Sequence, residues 1–194
     1  PISINLGRTA ATGDFLLLLN DDTTVAEPNP VTRMLELGQI PEVGIVGAKL
    51  TYPDGRLQHV GMVLLPSGPT HAWIGRPGKE HGYFGSTLTP RNMSAVTAAA
   101  MLIRTSVFDE LGGFDPAFAR DFNDVDFCLR ARAAGYRIAW TPYAHLVHHE
   151  GASIVRRQSD PAERELFQQR WGSTADPYYS PALNPRLDRI YEAL

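Results

Sequence analysis

Cysteine is nearly absent: Cys128 stands alone in 194 residues. That excludes an intramolecular disulfide and any zinc site built on several thiolates. A lone thiol inside a helical pattern reads as a small core residue, and such sparse use fits a reducing compartment. Lysine is scarce as well. Only Lys49 and Lys79 occur, and the 16 arginines are scattered rather than blocked. With a net charge of −3 and no basic run, no nucleic-acid partner is expected. No apolar run reaches the roughly 18 residues of a membrane span. Internal repeats and low-complexity tracts are missing too. What remains is 43% hydrophobic, enough for a sizeable core and too much for disorder. At this length the expectation is one domain over 1–194, with a helix and irregular tail from about 155 to 194.

The most informative stretch is Phe15-Leu-Leu-Leu-Leu-Asn-Asp-Asp-Thr23. A wholly apolar run stops on two adjacent carboxylates. Such a run predicts a strand buried on both faces, as in a parallel sheet. Open α/β sheets bind ligands just beyond the carboxyl ends of such strands. Asp21 and Asp22 therefore stand where hard oxygen ligands hold a divalent cation against a diphosphate. The plainer alternative is an Asx-type turn with both acids solvated.

Further along, Glu27-Pro-Asn-Pro30 opens a helix predicted over roughly 31–39. Strands are predicted over 43–52 and 57–65, separated by the Pro53-Asp54-Gly55 turn. The stretch from Pro66 to Asn92 is rich in Gly, Pro and His, the composition of a functional or mobile loop. The type of 94–104 stays open. A short helix over 106–111 ends at Gly112-Gly113. A second acidic cluster, Asp121-Phe-Asn-Asp-Val-Asp126, begins a helix to about 134 with Val125, Cys128 and Leu129 as its apolar stripe. A strand over 136–141 follows, then an extended piece ending at Leu146-Val-His-His-Glu150. Asp160-Pro-Ala-Glu163 has the form of a capping box.

Three polar clusters stand out: Asp21/Asp22, Asp124/Asp126 and His148/His149. Each lies where an apolar element starts or ends, and in an α/β domain such ends converge on one crevice. Acids in a first helical turn are favoured by the helix dipole, by roughly 0.3–1 kcal/mol. Asp126 has Arg130 at i+4 as a structural partner. Asp124 has none at i+3 or i+4, so it is the better general base toward a hydroxyl. His148 and His149 point to opposite faces of an extended chain, so one of them at most is a ligand. One imidazole, one carboxylate and diphosphate oxygens suit Mg²⁺ or Mn²⁺.

Taken in order, Asn5-x-Gly7, Ala11-x-Gly13, the strand into Asn20-Asp21-Asp22, Val43-Gly-Ile-Val-Gly-Ala-Lys-Leu50 and Tyr52-Pro-Asp-Gly55 resemble family 2 glycosyltransferases. So do Gly112-Gly-Phe-Asp115, Asn123-Asp-Val-Asp-Phe-Cys-Leu-Arg130 and His148-His-Glu-Gly-Ala-Ser153. These are GT-A-fold enzymes of bacterial polysaccharide, lipopolysaccharide and cell-wall assembly. The resemblance runs from Asn5 to about Pro185. It implies an α/β fold: a GT-A-type mixed sheet flanked by helices. It also implies inverting transfer of a sugar from a nucleoside diphosphate sugar to a glycan or lipid-linked hydroxyl. Asn20-Asp21-Asp22 matches the DxD-type motif, with Asp22 on the Mg²⁺ or Mn²⁺ ion. Asp124 falls at the catalytic base, with Asn123 where the family has Glu. His148 matches a further metal ligand of some members, and Gly113, Phe114 and Asp115 the loop beside the acceptor. The implied location is cytoplasmic, or peripheral at the inner face of the membrane.

Two departures qualify the match. The family opens with a strand–helix–strand unit that holds the nucleotide base, and no such unit precedes Phe15. The chain starts at Pro1-Ile-Ser-Ile-Asn5 without an initiator Met, so its beginning is expected to lie elsewhere. Its first five residues would then form a makeshift edge strand, and the truncated sheet edge would self-associate. Gln168-Gln-Arg-Trp171 is one residue short of the QxxRW motif of processive synthases, and Trp171 reads as a packing residue. Two rival functions stay open: a non-catalytic domain that binds metal or glycan, and a metal-dependent phosphohydrolase.

Overall fold

The computed structural model describes residues 1–149, 159–186 and 190–192. In chain order the elements are α1 (Ile2–Ala10), β1 (Phe15–Leu19), β2 (Thr23–Val25), α2 (Pro30–Gly38), β3 (Val43–Thr51), β4 (Leu57–His59), β5 (Met62–Leu65) and β6 (Gly68–His71). Then come β7 (Arg91–Asn92), β8 (Ala100–Arg104), α3 (Thr105–Glu110), α4 (Asn123–Ala133), β9 (Arg137–His148) and α5 (Pro161–Trp171). A mixed sheet runs β1-β8-β3-β9-β2, with β4 added to β3 and β7 to β9. Its one parallel pair is β3–β9; the other ladders are antiparallel.

Side-chain alternation builds the layers. Ile45, Met101, Ile103, Ile138 and Trp140 face one core, which also takes Val125, Phe127, Cys128 and Leu129 of α4. Val46, Ala100, Leu102 and Ala139 face the other, closed by Met34 of α2. The period of two in the strands thus feeds two cores, and each large buried side chain contributes roughly 1.5–3 kcal/mol. The result is the expected mixed α/β sheet with helices on both faces. Among the described residues no helix is long and apolar enough to cross a membrane.

Several expectations need correction. β1 is not a strand buried on both faces. It pairs only with β8 among the described residues, antiparallel, and leaves Leu17 38% and Leu19 49% exposed while Leu16 is buried. A leucine run reports side-chain apolarity, not how many strands flank it. The first residues form α1 rather than an edge strand, and two side chains from within the helix tie it to the fold. Asn5 exchanges two hydrogen bonds with the Phe114 backbone, at 2.8 and 2.9 Å, and Arg8 grips Asp109 at 2.8 and 2.7 Å. The strand predicted over 57–65 breaks into β4 and β5 at Gly61, whose φ of +89° is open to glycine. The two extended pieces predicted after residue 136 are one strand, β9, with a bulge opposite Ala48/Lys49. The predicted capping box is half formed. Asp160 accepts from the Ala162 N–H, but Glu163 turns away to another partner. Glu150-Gly-Ala-Ser153, the end of the histidine motif, lies outside the described residues.

Candidate metal and catalytic site

The β2–β9 ladder sets Thr23 opposite His148, and the His149 N–H donates to the Asp22 carbonyl at 2.9 Å. Asp22 and His148, 126 positions apart, therefore share one turn at the carboxyl end of β1. Asp22 Oδ1 lies 3.0 Å from His148 Nε2. That oxygen is buried and, among the described residues, has no aligned hydrogen-bond donor. His148 Nδ1 meets Gln58 Oε1 at 2.7 Å, so the neutral ring carries its proton there. Nε2 is then an acceptor, and Asn20 Nδ2 reaches it at 3.1 Å.

Asp22 Oδ1 and His148 Nε2 thus face one another across 3.0 Å. Cis ligands about 2.1 Å from an octahedral ion stand about 3.0 Å apart. Gln58 orients the ring as the outer partner of a ligating histidine does. The donor set fits a divalent cation. Among the described residues no group of three or more His, Cys, Asp or Glu is placed to hold a metal. Two protein ligands would leave most of the shell to water and phosphate oxygens, the habit of Mg²⁺ sites. Asp21 is exposed on the same turn, and His149 is exposed with Nε2 3.3 Å from Thr24 Oγ1. Of the two imidazoles, the one that meets the Asp22 carboxylate is that of His148.

Asp124 joins this site through residues 97–99. The Ala98 N–H donates to Asp124 Oδ2 at 3.2 Å, and the Asn20 N–H donates to the Ala99 carbonyl at 3.0 Å. Asp124 Oδ1 accepts from the Val125 N–H at 2.9 Å, and its side chain is half-buried. The segment lies close on the sheet because residue 47 is glycine. A Cβ there would come within 2.5 Å of Val96.

Asp126 is more than the helical partner of Arg130. It is fully buried and takes Arg130 Nε at 2.8 Å, Arg170 Nη1 at 2.7 Å and Trp171 Nε1 at 2.9 Å. Trp171 therefore packs and also donates. In the loop before α4, Gly113 is at φ +77°, and Phe114 is buried and stacked on Phe127 with ring centroids 4.6 Å apart. Asp115 keeps partial exposure. The Ala117 N–H, and then Arg170, hold its carboxyl below the usual range.

Sequence reasoning missed Gln58, His59 and His71. Gln58 and His59 are buried in β4 between apolar residues, and polar residues in such a strand are the available signal. His59 Nε2 accepts from the Thr97 N–H at 3.4 Å, and its Nδ1 lies 2.9 Å from His71 Nδ1. Burial, then the His71 and His148 rings, hold His59 well below its ordinary pKa, so it is neutral. Cys128 is a buried thiol whose ionisation burial pushes far up, which excludes a nucleophile.

Residues 2–174 match the family described as Glycosyltransferase like family 2. The chain is 37% identical over 201 residues to the O-antigen biosynthesis protein RfbC of Myxococcus xanthus, covering 94% of this chain and 15% of that protein. It is 28% identical to the N-acetylglucosaminyl-diphospho-decaprenol L-rhamnosyltransferase of Mycobacterium tuberculosis, over 77% of this chain and 50% of the relative. The chain thus spans half or less of these relatives. Among solved structures, GalNAc-T7 with UDP, GalNAc and Mn2+ superposes with a TM-score of 0.60 at 14% identity, covering 86% of this chain and 34% of that one. At that identity the likeness concerns the fold, which is the GT-A arrangement anticipated from the motifs. By the family match over most of its length, the chain belongs to the glycosyltransferase family 2-like proteins.

Proposed function

We propose that the chain carries the catalytic half-site of an inverting, cation-dependent glycosyltransferase. The donor is a nucleoside diphosphate sugar, and the acceptor a hydroxyl of a glycan or lipid-linked sugar in envelope polysaccharide assembly. The observation that carries this is the unpartnered Asp22 Oδ1 facing His148 Nε2, with Asp124 bound to the neighbouring segment at Ala98.

Asp22 and His148 would hold Mg²⁺ or Mn²⁺. When bound, the cation offsets the charge that develops on the leaving diphosphate. Gln58 keeps the His148 ring in the orientation that presents Nε2. Asp124 takes the proton of the acceptor hydroxyl as its oxygen bonds to the anomeric carbon. The bond from that carbon to the diphosphate oxygen breaks in line, so configuration inverts. Asp124 suits the role of base because, in the hydrogen bonds among the described residues, its oxygens meet backbone N–H groups. The acceptor side falls to Gly113–Asp115, where Asp115 is the side chain at the surface. The O-antigen protein and the rhamnosyltransferase among its relatives support this substrate class.

Turnover is the test. The full-length protein is offered UDP-, GDP- and dTDP-linked sugars with Mn²⁺ or with chelator, with and without lipid-linked acceptors. Acceptor-dependent release of nucleoside diphosphate that chelation abolishes is the expected result. Release without any need for an acceptor would instead make the chain a phosphohydrolase.

A further inference from the structure

One face of helix α5 is bound closely to the start of α4. Glu163 is buried and accepts from the Arg120 N–H at 3.2 and 3.3 Å and the Asp121 N–H at 2.6 Å. Asp121 answers by accepting from the Asp160 N–H at 2.9 Å. One turn on, Phe167 stacks on Phe122 with centroids 4.7 Å apart and meets Phe118 edge-on. A further turn on, Arg170 and Trp171 donate to Asp126. Residues 163, 167, 170 and 171 share one helix face, and the first and third are roughly 10 Å apart along it.

The need for this grip is local. Phe122, the residue before α4, sits in the left-handed region at φ 61° and gives the helix no side-chain cap. Glu163 instead holds the approach to α4 through the Arg120 and Asp121 N–H groups, ahead of the helix's own first turn, where Asp124 Oδ1 accepts from the Val125 N–H. Asp124 lies between the two grips, two residues from Phe122 and two from Asp126.

We infer that α5 is a clamp that positions Asp124, with Glu163 and Arg170 as its two holding residues. The inference rests on Asp124 being the general base. Neither holding residue touches substrate; each acts through the α4 junction. Arg170 also binds Asp115 at 2.9 Å, so the same guanidinium ties the loop over 113–115 to the base-bearing helix. A shift of the base by about 1 Å is enough to lower turnover on the order of 10²-fold.

The Ala98 amide reports on the position of Asp124, since it donates to Asp124 Oδ2. Amide exchange is measured on the full chain for wild type, Asp124→Ala, Arg170→Ala and Glu163→Gln, with β3 amides as the gauge of global opening. Arg170→Ala is expected to lower Ala98 protection toward the Asp124→Ala level, and by more than it lowers β3 protection. Glu163→Gln should do so in part, and should also loosen the 120 and 121 amides. In turnover, Arg170→Ala should lower kcat by ~10–100-fold in the wild-type background and by less than ~3-fold on top of Asp124→Asn.

Unchanged Ala98 protection in Arg170→Ala would overturn the clamp. So would insensitivity of Ala98 to Asp124→Ala, or an equal loss of kcat in both backgrounds, the additive behaviour of a merely structural helix. Should Asp124→Asn alone keep full activity, the general-base reading falls, and the clamp as a device for catalysis falls with it. Ala98 exchange still decides whether α5 sets the position of Asp124.

Discussion

Asp22 Oδ1 and His148 Nε2 stand 3.0 Å apart without sharing an aligned hydrogen bond. Gln58 Oε1 lies 2.7 Å from the far ring nitrogen, which leaves the near one turned toward the carboxylate oxygen. The proposed cation would sit between these two atoms as their shared partner.

Mn²⁺ should therefore bind weakly alone and more tightly with UDP or GDP present, because diphosphate oxygens complete the shell. Asp22→Ala should abolish the binding seen by calorimetry. Gln58→Leu keeps both ligands yet frees the ring, and should weaken Mn²⁺ by ~10–100-fold. Equal binding by wild type and Asp22→Ala would remove Asp22 from the site.

The two acids of α4 should separate by measurement. Asp124→Asn should lower kcat by ~10²–10⁴ with little change in melting temperature. By sequence, Asp126→Asn loses only a helical pair with Arg130, about a few tenths of a kcal/mol. The structure raises that expectation, because the buried carboxylate carries three donors. Arg130 and Arg170 are partly exposed, which keeps the loss below that of a sealed pair, at about 2–4 kcal/mol. Differential scanning calorimetry reads it as a drop of roughly 5–15 °C. An Asp126→Asn protein that melts like wild type would contradict the role of Asp126 as a hub.

Stability should fall on the acid side through His59. Its folded pKa is depressed by burial and by the His71 and His148 rings, so the folded state favours the neutral ring. The contribution is fully present above the unfolded value of about 6.5 and is lost as pH falls below it, where only the unfolded chain takes the proton. The slope is at most ~1.4 kcal/mol per pH unit for one proton. His145, lowered by its own burial and by Lys49, adds in the same direction. The informative quantity is thus the difference between wild type and His59→Gln, whose unfolding should depend less on pH between about 6.5 and 5. Parallel curves for the two proteins would rule His59 out.

Much of the site was legible because each chemical residue terminates an apolar element, as Asp22 does β1 and His148 does β9. The end of a strand is a local property that pattern alone can place. Gln58 and His59 were hidden because they lie inside a strand rather than at its end, and their partners come from 12 to 90 positions away. The inward face of α5 was legible only at Trp171, read from sequence as a packing residue. It is built of Glu163, Phe167, Arg170 and Trp171, so charge points into the fold and the usual contrast between apolar and polar faces is lost. The place of β1 in the sheet was misread because its five apolar residues do not record how many neighbours the strand has.

That edge sets the last expectation. β1 hydrogen-bonds to β8 on one side, and among the described residues no strand occupies the other. Leu17 and Leu19 are exposed there, and α1 exposes Ile2 and Leu6 at 64% each. A row of unpaired N–H and C=O groups beside apolar side chains is a template for another strand, and an apolar patch of this kind marks an interface. Charge does little to protect it, since Asp14 is the one acid immediately before the run and no Lys or Arg lies within it. The chain over 1–194 is therefore expected to self-associate through this face at high concentration. Leu17→Lys places a charge on the exposed side chain without disturbing the buried Leu16 or the ladder to β8. Light scattering should show wild type as a dimer or larger and Leu17→Lys shifted toward monomer at the same concentration. A wild-type chain that stays monomeric would mean that this edge is already shielded, and that the exposed leucines have no partner in a second copy.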